Sequence, residues 1–192
     1  MSNFITASTS ISGLILAGGA GRRAGGRDKG LIEWSGRPLI EHVYRNIASQ
    51  VDDVLISCNR NGDRYAALSS IIEQDLRSDY QGPLAGLEAA APLIVHPLLM
   101  VVPCDTPHLP ENLVSTLFIA LEKAPEQSVA YATTGDGGQY LCALMRTESL
   151  QSLPAFLDSG QRAVRQWYRQ IGSVAVDMKE QSACFLNVNE LD

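Results

Sequence analysis

The chain has 192 residues, a formal net charge of −6 at pH 7 and 45% hydrophobic residues, which fits one α/β domain with a substantial core. A net negative chain lacks the basic footprint of a nucleic-acid-binding protein. Its positive charge is concentrated in residues 22–29, which favours a small anionic ligand over a nucleic acid.

Predicted elements alternate between strands and helices over most of the chain. Apolar runs predict strands at 12–17, 53–58, 71–73 and 98–102, and helical periodicity follows Pro38 and covers 64–69, 84–94 and 110–123. A hairpin is predicted from 129–133 and 140–145, then helices at 147–157 and 161–170 and short strands near 173–177 and 184–188. The expected fold is α/β and Rossmann-like, a mostly parallel twisted sheet with helices on both faces and an antiparallel hairpin addition.

The domain organisation and location follow from the termini and the cysteines. We expect residues 1–10 to form a flexible tail and residues 11–192 to form a single domain. No apolar stretch near the N-terminus is long enough for a signal core or a membrane span, so no membrane partner is expected. The cysteines lack the CxxC spacing of metal or redox sites, which indicates buried thiols in a reducing cytoplasm: Cys58, Cys104, Cys142 and Cys184.

A glycine-rich loop follows the first predicted strand. Glycine lets a backbone approach a ligand closely, and successive N–H groups in such a loop form a concave anion site. The loop therefore predicts a phosphate cradle. Lys29 is expected to contact phosphates as a point charge, as is one of Arg22 and Arg23, while Asp28 is expected to be structural. The loop glycines are Gly18, Gly19, Gly21, Gly25, Gly26 and Gly30.

Several polar residues follow predicted strands and should share the ligand-binding edge of the sheet, since ligands of parallel sheets lie beyond the carboxyl ends of the strands. They are the loop at 18–30, residues 57–60, Asp75 and Asp105. Asp105 is either a Mg²⁺ ligand beside phosphates or a cap of the following helix, and the glycine loop favours the metal.

Asp75 and Gly82 are further candidates with two interpretations each. Asp75 either accepts hydrogen bonds from a ribose hydroxyl or a guanine edge, or is a surface acid. Gly82 either presents N–H groups to a base or phosphate, or simply opens a helix. The three histidines do not cluster in the sequence, and no nucleophile with a matched base emerges. That absence is consistent with phosphate transfer between bound groups.

An alternative interpretation of the glycine loop is a dinucleotide-binding site. Residues 19–24 match G-x-G-x-x-A, with Glu41 about twenty residues further on, as in NAD(P)-binding oxidoreductases. The later glycines argue against a helix directly after Gly21. The Walker pattern fails, because no Gly-Lys pair is followed by Ser or Thr.

The chain resembles the molybdenum cofactor guanylyltransferases, which are nucleotidyltransferases of the nucleotide-diphospho-sugar-transferase type. The matching segments follow the order of the family: residues 16–30, 36–39, 79–86, 103–107 and 187–189. The resemblance implies Mg²⁺-dependent transfer of GMP from GTP to molybdenum-bearing molybdopterin, with release of pyrophosphate. It also implies transient contact with a molybdenum-insertion protein that delivers the pterin.

The resemblance also implies roles for individual residues. The nucleotide would contact Leu16, Ala17, Gly18, Gly19, Lys29, Ser57, Asn59, Asp75, Gly82 and Asp105. Lys29, Asp105 and Arg23 would be catalytic, and Asp105 would bind the metal. The pterin side would include Arg162, Asn187 and Asn189, with Arg23 as another candidate for the pterin phosphate.

The chain departs from the family pattern in three places. Ala24 replaces the usual Met, Ser57 stands where an Asn is common, and Gln139-Tyr140 replaces a His-Pro. These departures leave a catalytically weakened nucleotide-binding subunit as a further alternative.

Overall fold

The structure is a computed structural model that describes residues 9–18, 26–69, 72–73, 77 and 81–188, with the backbone alone at 72–73. Its strands are β1 Ile11–Leu16, β2 Glu33–Trp34, β3 Arg37–Pro38, β4 Asp53–Ser57, β5 Ile72–Glu73, β6 Leu98–Pro103, β7 Val129–Thr134, β8 Gly137–Arg146 and β9 Ser173–Asp177. Its α-helices are α1 Leu39–Ala48, α2 Gly62–Tyr65, α3 Pro83–Ala90, α4 Leu113–Glu122, α5 Leu153–Asp158 and α6 Val164–Ile171.

Seven strands form one sheet in the order β5-β4-β1-β6-β8-β7-β9. The pairs β5–β4, β4–β1 and β1–β6 are parallel, and so is β7–β9. Strand β8 runs antiparallel to both of its neighbours, β6 and β7. The predicted fold class is therefore confirmed, and the predicted hairpin supplies the antiparallel strand.

Helices cover both faces of the sheet because its strands are apolar on both sides. Successive side chains of a strand point to opposite faces. On β1, Ile15 packs in the core cluster shared with α1 and α4, whereas Leu14 packs in the cluster shared with α3, α5 and α6. Both side chains are fully buried. Within the described ranges, no helix is both long and apolar enough to span a membrane.

Several element boundaries differ from the predictions. The helix expected at 110–123 begins at Leu113, and the helix expected at 147–157 is a 3-10 segment, Thr147–Ser152, followed by α5. The strand predicted near 184–188 is wrong. A 3-10 helix spans Lys179–Phe185, and the Val188 N–H donates to the Asp105 carbonyl at 2.9 Å instead of joining a strand.

A small β2–β3 hairpin links the glycine loop to α1. Its turn uses positive φ at Ser35 (47°) and Gly36 (80°). The Trp34 ring packs edge-on against His42, with centroids 5.1 Å apart, and against His108, with centroids 4.7 Å apart. Two histidines that the sequence keeps apart thus meet at one tryptophan and fix the hairpin to the domain.

Candidate functional site

Three adjacent parallel strands end together at what we call the carboxyl edge, formed by the ends of β1, β4 and β6. Hydrogen bonding continues past the strand ends. The Ala17 N–H donates to the Ser57 carbonyl at 2.8 Å, and the Cys104 N–H donates to the Leu16 carbonyl at 3.2 Å. The beginning of the glycine loop is therefore fixed between the segments that follow β4 and β6. This is the position that the strand-end rule predicts.

Lys29 and Asp105, both predicted from the sequence, meet at this edge. The Lys29 Nζ lies 2.9 Å from the Asp105 Oδ2, and their side chains are 25% and 12% exposed. An ion pair in this partly buried setting is a charge-assisted hydrogen bond. The prediction that the glycine loop and the residue after β6 share one edge is confirmed for these two side chains.

Asp28 is held by the segment that follows β4. Its carboxylate accepts hydrogen bonds from the Tyr65 hydroxyl at 2.5 Å and the Asn61 amide at 2.9 Å. The Arg60 guanidinium lies 3.8 Å away, and the Asp28 side chain is only 7% exposed. The sequence suggested a structural role for Asp28 and did not single out its partners.

Arg60 fixes the end of the glycine loop by a second route. Its guanidinium donates to the carbonyls of Gly26 at 2.7 Å and Arg27 at 2.8 Å. Arg60 belongs to the polar break after the second apolar run. That break was the available sequence signal, but the pairing of its arginine with backbone carbonyls has no sequence pattern.

Asn187 lies against the turn that follows β6, which carries Asp105. The Thr106 hydroxyl donates to the Asn187 side-chain oxygen at 2.9 Å. The Val188 N–H donates to the Asp105 carbonyl at 2.9 Å. These two bonds fix residues 187–188 against the turn that follows β6.

Arg162 contacts the residue that precedes Gly82 in the chain. Gly82 has a φ of 92° and directly precedes α3. Arg162 donates to the side-chain oxygen of neighbouring Gln81 at 2.5 Å and to the Leu157 carbonyl at 2.7 Å. The structure thus places the Arg162 guanidinium on the side chain of the residue before Gly82, with its hydrogen bonds made to protein acceptors.

Ser57 and Asn59 differ in accessibility. The Ser57 side chain is 1% exposed, and its hydroxyl has no hydrogen-bond partner among the described residues. Asn59 is half-buried. Of the two, Asn59 is therefore the more accessible to a ligand.

Four predicted site residues lie outside the described residues: Gly19, Arg23, Asp75 and Asn189. Arg77 lies in the segment between Asp75 and Gly82. It makes a two-pronged ion pair with Glu88 of α3, at 2.6 and 2.7 Å, and contacts Asp158 at 2.8 Å. These contacts raise the pKa of the Arg77 guanidinium.

The donors at Asp105 suit magnesium. No group of three His, Cys, Asp or Glu side chains that could hold a metal occurs in the described part of the chain. Mg²⁺ does not require one, because it is usually held by one or two carboxylates together with phosphate oxygens and water. Lys29 engages Oδ2 of Asp105, which leaves the hard oxygen Oδ1 for such an ion.

The thiols near the site are favoured in their neutral form by burial. Burial, followed by the charge of Asp28, raises the pKa of the Cys58 thiol to about 11. Burial also raises the pKa of the Cys104 thiol. All four cysteines are free. Cys58, Cys104 and Cys142 are buried, as expected, whereas Cys184 is only half-buried.

Nucleotidyl transfer requires positive charge for phosphates and a carboxylate for a divalent metal at one place, and the carboxyl edge supplies both. On this mostly parallel α/β sheet, that combination fits the class of the nucleotidyltransferases. The sequence profile of the MobA-like NTP transferase domain matches residues 13–174. The chain belongs to the MobA-like NTP transferase domain family.

Two similar proteins have the same name. The chain is 41% identical over 182 residues to "Molybdenum cofactor guanylyltransferase" of Shewanella sediminis, which covers 95% of this chain and 92% of that protein. It is 43% identical over 191 residues to the protein of the same name from Burkholderia ambifaria, again covering 95% and 92%. The resemblance inferred from the motifs is thus confirmed.

Solved structures support the fold. Molybdopterin-guanine dinucleotide biosynthesis protein A from Archaeoglobus fulgidus superposes with a TM-score of 0.75 at 20% identity, covering 93% of this chain and 92% of that one. The 4-diphosphocytidyl-2C-methyl-D-erythritol synthase from Anaerococcus prevotii gives a TM-score of 0.70 at 13% identity, covering 95% and 91%. At these identities the likeness concerns the fold alone.

Proposed function

We propose that the chain transfers GMP from GTP to molybdenum-bearing molybdopterin, forming the guanine dinucleotide cofactor and pyrophosphate, with Mg²⁺ as the metal. The observation that carries the proposal is the 2.9 Å pairing of Lys29 with Asp105 at the carboxyl edge. Its substrates are suggested by relatives more than 40% identical over 95% of the chain that are named for this activity.

The nucleotide is proposed to lie over the end of β1. The backbone from Leu16 to Gly18 would line the phosphates and guanine, continued by Gly19. Lys29 would hold the phosphates as a point charge. The remaining proposed nucleotide contacts are Ser57, Asn59, Asp75 and Gly82. The support for Asn59 is its accessibility beside the loop, and the support for Gly82 is its exposed backbone before α3.

The proposed chemistry is an in-line displacement. A terminal phosphate oxygen of molybdopterin forms a bond to the α-phosphorus of GTP, while the bond from that phosphorus to the bridging oxygen breaks and pyrophosphate leaves. Lys29 and the loop N–H groups would stabilise the charge that develops. Asp105 would hold Mg²⁺, which supplies charge neutralisation between phosphate oxygens.

The acceptor is proposed to bind beside Asp105. The support is the hydrogen bond between Asn187 and Thr106, which places Asn187 next to the proposed metal ligand. Asn189 and Arg23 belong to the same proposal. Arg162 is proposed to reach the pterin phosphate, which requires it to exchange some of its protein acceptors for that phosphate.

We further propose a cytoplasmic location and a transient contact with a molybdenum-insertion protein. The free cysteines support the first, since a reducing compartment keeps thiols unpaired. The second follows from the proposed acceptor, which requires a protein that delivers it.

The first experiment is thermal unfolding of the purified chain with GTP, CTP, ATP, UTP or NADH, each with and without Mg²⁺. A ligand that binds the native state raises its melting temperature by mass action. We expect a Mg²⁺-dependent rise with GTP, followed by formation of the guanine dinucleotide in a transfer assay. A larger rise with CTP or NADH would contradict guanine recognition. GTP binding without transfer would identify a nucleotide-binding subunit that has lost its chemistry.

A further inference from the structure

The buried hydroxyl of Tyr65 has no part in the proposed reaction, yet it contacts the residues on both sides of Lys29. Tyr65 is the last residue of the short helix α2, and its side chain is 0% exposed. Its hydroxyl donates a hydrogen bond of 2.5 Å to the Asp28 carboxylate. A hydroxyl donating to a carboxylate makes one of the stronger hydrogen bonds in proteins.

Gly30 packs against the same hydroxyl. A β-carbon at position 30 would lie 2.5 Å from the Tyr65 oxygen and 3.2 Å from a ring carbon. The ring is fully buried in the core cluster with Cys58 and Cys104. The chain before Lys29 is therefore held by a hydrogen bond and the chain after it by close packing.

We propose that Tyr65 is a positioning residue for Lys29, which fixes the backbone on both sides of the lysine so that its ammonium group reaches the carboxyl edge. A lysine side chain loses considerable rotational freedom when it is ordered. Fixing its backbone in advance reduces the conformational entropy that the lysine loses when an anion binds. This is the general advantage of preorganisation. The expected effect on GTP binding rests on the proposed function, whereas the placement of the Lys29 ammonium group does not.

The donor is protonated at all relevant pH values. Burial, followed by the hydrogen bond to Asp28, raises the pKa of the Tyr65 phenol. The Asn61 amide donates to the other oxygen of the same carboxylate at 2.9 Å. Replacing Tyr65 with Phe therefore removes one donor and retains the ring and Asn61.

The first test reads the lysine directly. The chain contains only three lysines, Lys29, Lys123 and Lys179, so reductive ¹³C-methylation, which preserves the charge, gives few side-chain signals. The NMR signal of the methylated Lys29 is assigned as the one that disappears in Lys29→Arg. At fixed pH we expect it to be separate from the signals of the two exposed lysines. In Tyr65→Phe it should move towards them.

The matched control is Tyr168→Phe. Tyr168 is 2% exposed, and its hydroxyl donates to the Tyr140 carbonyl at 2.9 Å, on the opposite face of the sheet from Tyr65. This variant also removes one buried hydroxyl, but it should leave the Lys29 signal in place. An unmoved Lys29 signal in folded Tyr65→Phe, or equal movement in both variants, would overturn the proposal.

The second test separates positioning from general stabilisation. We expect Tyr65→Phe to weaken GTP binding about tenfold and to have almost no effect on GTP binding in a Lys29→Met background. The loss of melting temperature caused by Tyr65→Phe should be the same in both backgrounds. An equal loss of GTP affinity in both would show that Tyr65 acts on the fold and not through Lys29. A wild-type chain that binds no GTP contradicts the proposed function, and the methyl signal still decides the role of Tyr65.

Discussion

Lys29 and Asp105 are 76 residues apart in the chain, and their side chains are joined at 2.9 Å. In the proposed reaction these two groups serve different partners, a phosphate and a metal ion. The two charges lie against each other at the carboxyl edge. Under the proposed function, Lys29 would gain a phosphate partner and Asp105 a metal partner.

Substituting either residue should remove catalysis and leave the fold. We expect Asp105→Asn and Lys29→Ala each to lower the transfer rate by about 10²–10³, the usual cost of one charge-stabilising group. The pair is only partly buried, so the melting temperature should change little. Transfer rate and thermal unfolding are measured together, with the exposed Lys123→Ala as the control. Near-normal turnover in either site variant would contradict the assigned roles.

Arg60 should control the affinity of the glycine loop without touching substrate. Its bonds to the carbonyls of Gly26 and Arg27 fix the end of the loop, so Arg60→Met should weaken GTP binding about tenfold. Titration calorimetry measures the affinity. Arg64→Met, which removes an exposed arginine from the same segment, should bind GTP as tightly as the wild type does.

A methyl group at position 30 should destabilise the protein. We expect Gly30→Ala to lower the free energy of unfolding by about 1–3 kcal/mol, because the added carbon meets the Tyr65 hydroxyl in a packed interior. Denaturant unfolding checks this, and Gly62→Ala, which meets nothing within 4 Å, is the control. The double variant Gly30→Ala, Tyr65→Phe should lose less free energy of unfolding than the sum of the losses in the two single variants. Simple additivity would show that the hydroxyl is not the obstacle.

Alkaline pH should weaken the fold through its buried thiols. The Cys58 thiol has a folded pKa of about 11 against an ordinary value of 9.0, so the unfolded chain ionises first as pH rises. The contribution of the protonated Cys58 thiol to the free energy of unfolding is complete below pH 9. It is lost between pH 9 and 11, and the free energy of unfolding then falls by up to about 1.4 kcal/mol per pH unit. The free energy of unfolding, measured as a function of pH, should run parallel for wild type and Cys58→Ala between pH 6 and 8. Above pH 9 it should fall less steeply for the variant.

The strand ends and the glycine loop were predictable because they depend on local pattern. A parallel sheet brings its carboxyl ends together, so Lys29 and Asp105 could be assigned to one edge before their contact was known. The support around them was not predictable. Tyr65 lies in a four-residue helix with little periodicity, and its hydrogen bond to Asp28 spans 37 residues. The strand predicted near 184–188 is wrong because Phe185 enters the core from a 3-10 helix, whose hydrogen bonds leave no apolar periodicity to read.

Strand β8 runs against its neighbours, so it begins at the edge where the other strands finish. The turn before it, which includes the exposed residues Gly135 and Asp136, projects from the ligand side of the sheet and not from the opposite side. Insertions or deletions in that turn would reshape the carboxyl edge, where the acceptor is proposed to bind, while every paired strand kept its register. The antiparallel strand thus offers a route by which one nucleotide-handling scaffold can diversify towards different acceptors without rebuilding its interior.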